Sequence, residues 1–469
     1  DEQAYLYLGN SAVSDINKWL LSLKYLVFPI VPWILGIFQL IFKPLINPLT
    51  LGRIVMVTSD LISALLIYFI GKKIHDAKYG FFALAIYLSL SINFFHSRII
   101  LLESITNMFF MASLYFFLRL LYLETPKRFA KLIFSILIVS IFLSLSYLSK
   151  PLAIVSFSAL IFLMTSYFVE SRERNFKSFI RLVSFLAMIF SISFLITLPF
   201  TLRTWVKFSD YRVEATIPAI VINFKQNIWL TWWWVKTYVS IPVVATIFVS
   251  LGYSLFFRQW KVIWIFFWLA SVIILESLIG TNFLPRHLFL IGPSVALASA
   301  VIFYEVSKHK NYYVALFLMI LILFACLKLD VQIILKPETA PIALEDKQQF
   351  FEDWTSGVGL DGVSSRLKNI SSEKEIFIYV ESDGGFGWAL AHLYDTGNST
   401  IIESNQLNDR KSMLYLPEKD NIYVVLNREP DPPQGWPLEL IGAYSKQTKR
   451  RYIKIYKYQG EFKNPRSAN

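Results

Sequence analysis

The chain has 469 residues, of which 55% are hydrophobic, 17% aromatic and only 17% charged. Soluble domains run nearer a quarter charged, and here the apolar residues come in long runs, which excludes an ordinary soluble protein and points to transmembrane helices. The net charge of +12 does not argue for nucleic acid, because Lys and Arg of a membrane protein collect in cytoplasmic loops.

The chain opens on Asp1-Glu2-Gln3-Ala4-Tyr5, an acidic pair with no initiator Met, so it is expected to be processed or to continue upstream. Residues 17–46 are rich in apolar and aromatic side chains but are interrupted by Lys24, Pro29, Pro32, Lys43 and Pro44. That composition suits a pair of helices lying in the membrane interface better than a spanning helix. About ten spans follow, at 53–70, 80–97, 104–122, 132–149, 152–169, 180–199, 240–257, 262–279, 288–305 and 312–328, each near the roughly 20 residues that cross a bilayer. The single cysteine, Cys326, lies in the last of these and cannot form an internal disulfide.

Charge between the spans gives an orientation. One set of loops holds Lys72, Lys73 and Lys78; Arg119, Lys127, Arg128 and Lys131; Arg172, Arg174, Lys177 and Arg181; Arg258 and Lys261; Lys308 and Lys310. The alternate short loops hold one base each, Arg98, Lys150 and Arg286. The positive-inside rule assigns the first set to the cytoplasm, so residue 1, the stretch 200–239 and the tail are expected outside. The 200–239 stretch reads as an outer loop whose Trp205, Trp229, Trp232, Trp233 and Trp234, with Tyr211 and Tyr238, form either an interfacial aromatic belt or the lining of a groove for a lipid or a sugar face.

From Asp330 onward the composition changes. Strand-like runs at 375–381, 399–403, 421–427, 438–442 and 452–458 accompany helix-like stretches near 342–353 and 361–369, the pattern of a small soluble α/β domain. Gly384-Gly385-Phe386-Gly387 reads as an ordinary strand-to-helix turn. The expected architecture is therefore an α-helical polytopic membrane protein with a small soluble α/β C-terminal domain. Its parts are an outer-face loop with interfacial helices over 1–52, a transmembrane domain over 53–329 and an extracytoplasmic domain over 330–469.

Charged groups on the outer face carry the functional argument, because charge at the membrane is costly. They are Asp1-Glu2 with Tyr5, Arg98 with Glu103, Lys150 at the head of a span, and Arg286 in Leu284-Pro285-Arg286-His287. Taken singly each has a structural explanation: Arg98 and Glu103 as paired ends of a short loop, Lys150 as a snorkelling lysine. Together they suit a lipid phosphate, whose oxygens Arg and Lys neutralise, with a carboxylate as general base on an incoming hydroxyl. That set fits displacement at a sugar carbon with the lipid phosphate as leaving group.

These residues resemble the protein O-mannosyltransferase and aminoarabinose-transferase superfamily of polytopic C-type glycosyltransferases. Asp1-Glu2-x-x-Tyr5 looks like its outer acidic motif, and Ser97-Arg98-Ile99-Ile100-Leu101-Leu102-Glu103-Ser104 is similar to its SRxxLLDS stretch. Phe28-Pro29-Ile30-Val31-Pro32-Trp33 resembles its Pro-rich segment, and Gly52-Arg53 the Arg that opens the second span. Lys150-Pro151 and Pro285-Arg286-His287 resemble its Lys-Gly-Pro and Pro-Arg-Tyr turns. The chain departs from the pattern at Glu103 (Asp in the family), Pro151 (Gly) and His287 (Tyr), and since a span precedes the acidic motif in the family, the sequence is expected to be a fragment without its first helix.

The resemblance implies a C-type glycosyltransferase-like fold in a prokaryotic plasma membrane. The implied activity is inverting transfer of one hexosyl or pentosyl unit from a polyprenyl-phosphate sugar to a protein, lipid or glycan acceptor. Asp1 would be the base and Glu2 its assistant, with both as ligands should a divalent metal be needed. Tyr5, Lys150 and Arg286 would bind the donor phosphate, and Arg98, Glu103 and Arg53 would position the acidic loop. The rival expectation is a transporter or receptor with an outer ligand-binding domain.

Overall fold

The computed structural model describes residues 2–14, 29–42, 45–121, 129–171, 175–208, 217–279, 284–309, 311–337, 339–352, 356–382, 386–411, 414, 416, 421–446 and 451–460. The chain divides into two compact units. One is made of residues 9–40 and 51–343, the other of residues 1–8, 41–50 and 344–469.

The first unit is helical. Among the described residues, eight helices are long and apolar enough to cross a membrane: Pro48–Ile74, Leu102–Leu121, Ala130–Ser149, Pro151–Glu170, Phe176–Leu202, Trp260–Leu278, Pro285–His309 and Tyr312–Leu335. A ninth span is formed if Ile220–Tyr238 and Ile241–Phe256, bent by 109° at their junction, count as one. This corrects the expectation of about ten at 80–97 and at 240–257, the latter being only the second arm of that bent pair, and it also corrects the loop expected at 200–239. The stretch 80–97 is two shorter helices, Ala77–Ser89 and Ser91–His96, separated at Leu90 by an extended backbone. The 200–239 stretch is not a loop: helices Phe176–Phe208 and Ile217–Tyr238 occupy most of it. Lys225, Gln226, Asn227 and Lys236 lower its hydropathy, but they are spread along a helix whose Trp234 and Tyr238 are buried.

Local chemistry explains several boundaries. The Asp76 side chain accepts hydrogen bonds from the Lys78 and Tyr79 amides and so caps helix Ala77–Ser89. Gly80 is needed where this helix meets the preceding one, because a Cβ there would lie 2.4 Å from the Tyr68 carbonyl oxygen. Asn311 caps Tyr312–Leu335 by accepting from the Tyr313 amide at 2.8 Å.

Serines tie the spans together where the hydrophobic effect cannot, since lipid is as apolar as the helices. Ser193 Oγ donates to the Ser140 carbonyl at 3.1 Å, while Ser140 and Ser144 share their hydroxyl protons between their own helix, at 2.9 and 2.8 Å, and the Ile189 and Ser193 carbonyls, at 3.2 and 3.3 Å. Ser113 and Ser146 join helices Leu102–Leu121 and Phe129–Ser149 in the same way. Interhelical bonds of this kind contribute roughly 0.6–2 kcal/mol each in membranes.

The second unit holds a five-stranded sheet of order β2-β1-β3-β5-β4. β1 (Ile376–Glu381) pairs parallel with β2 (Ser399–Ser404) and β3 (Ile422–Leu426). β5 (Tyr452–Tyr458) runs antiparallel to β3 and β4 (Leu438–Ser445). Helix Leu360–Ser371 covers one face, packing Val363 and Leu367 on Ile378, Val380 and Ile455. Leu407, Leu426 and Trp436 fill the other. Of the glycine-rich turn after β1, residues 383–385 lie outside the described residues; helix Phe386–His392 follows.

Candidate active site

Three lone charges expected on one face sit where helix geometry changes. Glu103 is in the first turn of helix Leu102–Leu121, where the helix dipole favours an anion. Lys150 is the cap of a 3₁₀ turn, Pro151–Phe157, that leads into the span. Arg286 lies in a second 3₁₀ turn, Pro285–Ile291, built the same way. In both turns a proline takes the first position, where its missing N–H costs nothing and its fixed φ starts the helix. The two turns bring their cations to one carboxylate.

Lys150 Nζ donates to Glu103 Oε1 at 2.5 Å, and Arg286 Nε is 3.9 Å from the same oxygen. The acid is sealed, with 3% of its side chain exposed, whereas Lys150 and Arg286 keep 13% and 19%. Both cations therefore retain an accessible side while the acid does not. Burial pulls the Lys150 ammonium below the ordinary lysine range, opposed by Glu103 and reinforced by Arg286.

Arg98 belongs to a different set. Its guanidinium lies 3.4 Å over the Phe94 ring, and its charged neighbour is Asp330. Glu103 thus turns to Lys150 and Arg286 and Arg98 to Phe94 and Asp330, rather than the two closing one loop on each other. Asp330 is 2% exposed and sits inside helix Tyr312–Leu335, which runs on past the composition change seen in the sequence.

Beneath these turns lies a buried polar network. Tyr87 donates to Asp60 Oδ1 at 2.6 Å, and Asn107 Nδ2 donates to the Phe289 carbonyl at 2.9 Å. Asn107 also meets Tyr87, and Ser97 meets Asp60. Helices Pro48–Ile74, Ala77–Ser89 and Leu102–Leu121 are thereby tied to the turn that carries Arg286.

The remaining sequence-predicted residues are placed as follows. Asp1 lies outside the described residues. Glu2 and Tyr5 are on helix Glu2–Ser14, in the part that groups with the C-terminal unit. Arg53 is on the first long span with its side chain exposed. Among the described residues no three His, Cys, Asp or Glu side chains are grouped to hold a metal.

Sequence reasoning missed Glu276. It is 1% exposed on helix Trp260–Ile279, within electrostatic reach of Lys150 and Glu103. Neither of its oxygens has a hydrogen-bond partner among the described residues. The signal was present, since a lone acid inside an apolar span is a functional-site hypothesis by default. Asp60 and Asp330 carry the same signal.

The fold is that of a polytopic helical membrane protein, C-type glycosyltransferase-like in architecture. Residues 28–196 match the model of the dolichyl-phosphate-mannose-protein mannosyltransferase family. The whole chain is similar in fold to ArnT from Cupriavidus metallidurans in the apo state (TM-score 0.59, 13% identity, covering 97% of this chain and 93% of that one). The same protein bound to undecaprenyl phosphate gives a TM-score of 0.55 at 12% identity, covering 92% and 88%. The Archaeoglobus fulgidus oligosaccharyltransferase complexed with Zn and sulfate gives 0.52 at 14% identity, covering 85% of this chain. This chain spans 59% of that enzyme's length. No curated protein matches it in sequence. In fold, the chain is thus similar to C-type glycosyltransferases, and its residues 28–196 are similar in sequence to the mannosyltransferase family.

Proposed function

We propose that the protein transfers a single sugar from a polyprenyl-phosphate donor to a protein, lipid or glycan acceptor on the extracytoplasmic face. The observation that carries this is the convergence of Lys150 and Arg286 on Glu103 from two proline-started turns at the heads of two spans. Two cations held in a low-dielectric setting, each with an accessible side, suit a lipid phosphate. That ArnT has been seen with undecaprenyl phosphate supports the choice of lipid.

In the proposed reaction the acceptor oxygen attacks the sugar's C1 from the face opposite the phosphate, inverting it. The C1–O bond to phosphate breaks and its electron pair stays on the phosphate, where Lys150 and Arg286 offset the growing charge. On the family resemblance Asp1 takes the acceptor's proton, Glu2 assists and Tyr5 adds a phosphate contact. Glu103 sets the spacing of the two cations, while Arg98 and Arg53 position the acidic stretch. Should the reaction need a divalent metal, Asp1 and Glu2 are its candidate ligands. Loop charges support the extracytoplasmic placement, and a prokaryotic plasma membrane is part of the same reading.

The transporter reading has one observation on its side, the 109° break between Ile220–Tyr238 and Ile241–Phe256, since transporters use broken helices. Its binding groups would sit at the midplane, whereas Glu103, Lys150 and Arg286 sit at helix ends. The test is incubation of membranes holding the protein with radiolabelled polyprenyl-phosphate mannose, glucose and arabinose. Label appearing on protein, lipid or glycan is expected for one of them. Label that crosses the bilayer while still attached to its lipid would favour the transporter.

A further inference from the structure

Glu276 has no part in the reaction as described, yet it is the least satisfied ionisable group near it. Both its oxygens are sealed from solvent and accept no hydrogen bond among the described residues. The charges acting on it are Lys150 and Glu103. Arg286 and His287 lie on the adjoining turn, and both act on Lys150 or are acted on by it. The other helices packed against Trp260–Ile279 keep their ionisable groups elsewhere. Glu170 ends its helix, and Glu305, Lys308 and His309 lie toward the far end of theirs. Tyr253 is on Ile241–Phe256, and Lys225 on Ile217–Tyr238 is exposed. Asn227 from that last helix spends its amide on the Ser277 carbonyl at 3.0 Å and leaves Glu276 alone.

The cluster therefore contains two cations, Lys150 and Arg286, and two carboxyls, Glu103 and Glu276. A phosphodiester entering it would set three anions against two cations where water is excluded. Unbalanced charge in such a place is costly, and the usual relief is a proton on one of the acids. Glu103 is held ionised by direct contact with both cations. Glu276 has no such contact.

We propose that Glu276 is a further working residue of this site, the carboxyl that carries a proton while a lipid phosphate is bound and releases it when the phosphate leaves. At a pH high enough for the empty site to leave Glu276 ionised, binding then consumes a proton at its carboxylate, and loss of the phosphate returns it. The inference rests on the reading of Lys150 and Arg286 as the phosphate-binding cations.

The test is calorimetric titration of the full-length protein with undecaprenyl methyl phosphate, a diester that keeps one charge at every pH used. It is run in buffers of low and high ionisation heat between pH 6 and 9. The wild type is expected to take up about one proton per lipid at the upper end, with affinity falling about tenfold per pH unit there. Glu276→Gln should take up none and lose the slope, and Glu103→Gln, which leaves two anions facing two cations, should take up less than the wild type. No uptake by the wild type, undiminished uptake by Glu276→Gln, or undiminished uptake by Glu103→Gln overturns the proposal. The wild-type and Glu103→Gln outcomes decide the matter even if Glu276→Gln fails to fold. If neither Lys150→Ala nor Arg286→Ala weakens lipid binding, the phosphate reading itself falls, whatever the proton count.

Discussion

Span Pro285–His309 carries a charged group near each end, and the two are solved differently. At one end Arg286 meets Glu103, whose contacts are two cations and whose cations remain partly open. Toward the other end Glu305, 3% exposed, accepts from Tyr253 Oη at 3.0 Å and Gln259 Nε2 at 3.0 Å, with His309 Nε2 at 3.2 Å. Neutral donors satisfy a carboxylate without leaving any charge for a visitor to use. A carboxylate paired with cations leaves positive charge that another anion can share, because the cations have donors to spare. Under the proposed function, the Glu305 end is a lock and the Glu103 end is a receptor.

The largest effect that would break this contrast is on transfer. Arg286→Ala and Lys150→Ala should each lower sugar transfer by roughly 10²–10³-fold, the scale of removing one preorganised group that stabilises developing charge. Arg286→Lys should recover only part of it, since a point charge replaces a planar fork. Near-normal turnover in either alanine variant, measured with the donor that labels an acceptor, would place the chemistry elsewhere. Next in size is Glu103→Gln. Breaking a buried pair from one side costs on the order of 3–5 kcal/mol, so its thermal midpoint in detergent should drop. Undecaprenyl phosphate should then raise that midpoint more than it raises the wild type's, because the phosphate replaces the lost anion. An equal or smaller rise would mean that Glu103 and phosphate do not share the same cations.

The sheet was almost fully legible. Ile376–Glu381, Ser399–Ser404, Ile422–Leu426 and Tyr452–Tyr458 fall within a residue or so of the runs of β-branched and aromatic side chains that announced them. The long spans were legible for the same kind of reason, a run of apolar residues of bilayer length. What escaped depends on contacts between distant parts of the chain. Stretch 80–97 looks continuous in hydropathy, yet it breaks at Leu90, beyond which Asn93 packs so closely on Gly292 that a Cβ there would lie 2.6 Å from Asn93 Oδ1. Local periodicity holds no trace of a neighbour 200 positions away. Lys150, Glu103 and Arg286 could be singled out as lone charges, but which acid meets which base was not readable, and Arg98 turned to Asp330 instead.

Glu305→Gln should cost about 1–3 kcal/mol of stability, the penalty for disturbing a satisfied buried acceptor, and leave the KM for donor unchanged. A change in donor KM without loss of stability would reverse the roles assigned to the two ends.

The smallest expected effect lies near the lock. His75 stacks on Tyr304 at 4.6 Å between ring centroids and meets Tyr79 edge-on at 5.0 Å. Burial lowers its pKa to about 4 from the ordinary 6.5, with Glu305 pulling the other way. The sign follows from where the proton binds. Between pH 6.5 and 4 the unfolded chain protonates this imidazole and the folded chain does not. The stability due to the neutral ring is therefore fully present above pH 6.5 and is lost as the pH falls toward 4. After allowance for the partial exposure of the ring, the loss should be on the order of 1–2 kcal/mol. Thermal midpoints of wild type and His75→Phe, compared between pH 7.5 and 4.5, isolate the contribution from that of other groups. The phenylalanine variant should lose less stability on acidification. Parallel curves would mean that the ring is protonated in the folded protein, drawn up by Glu305, and that the carboxylate here is held by charge after all.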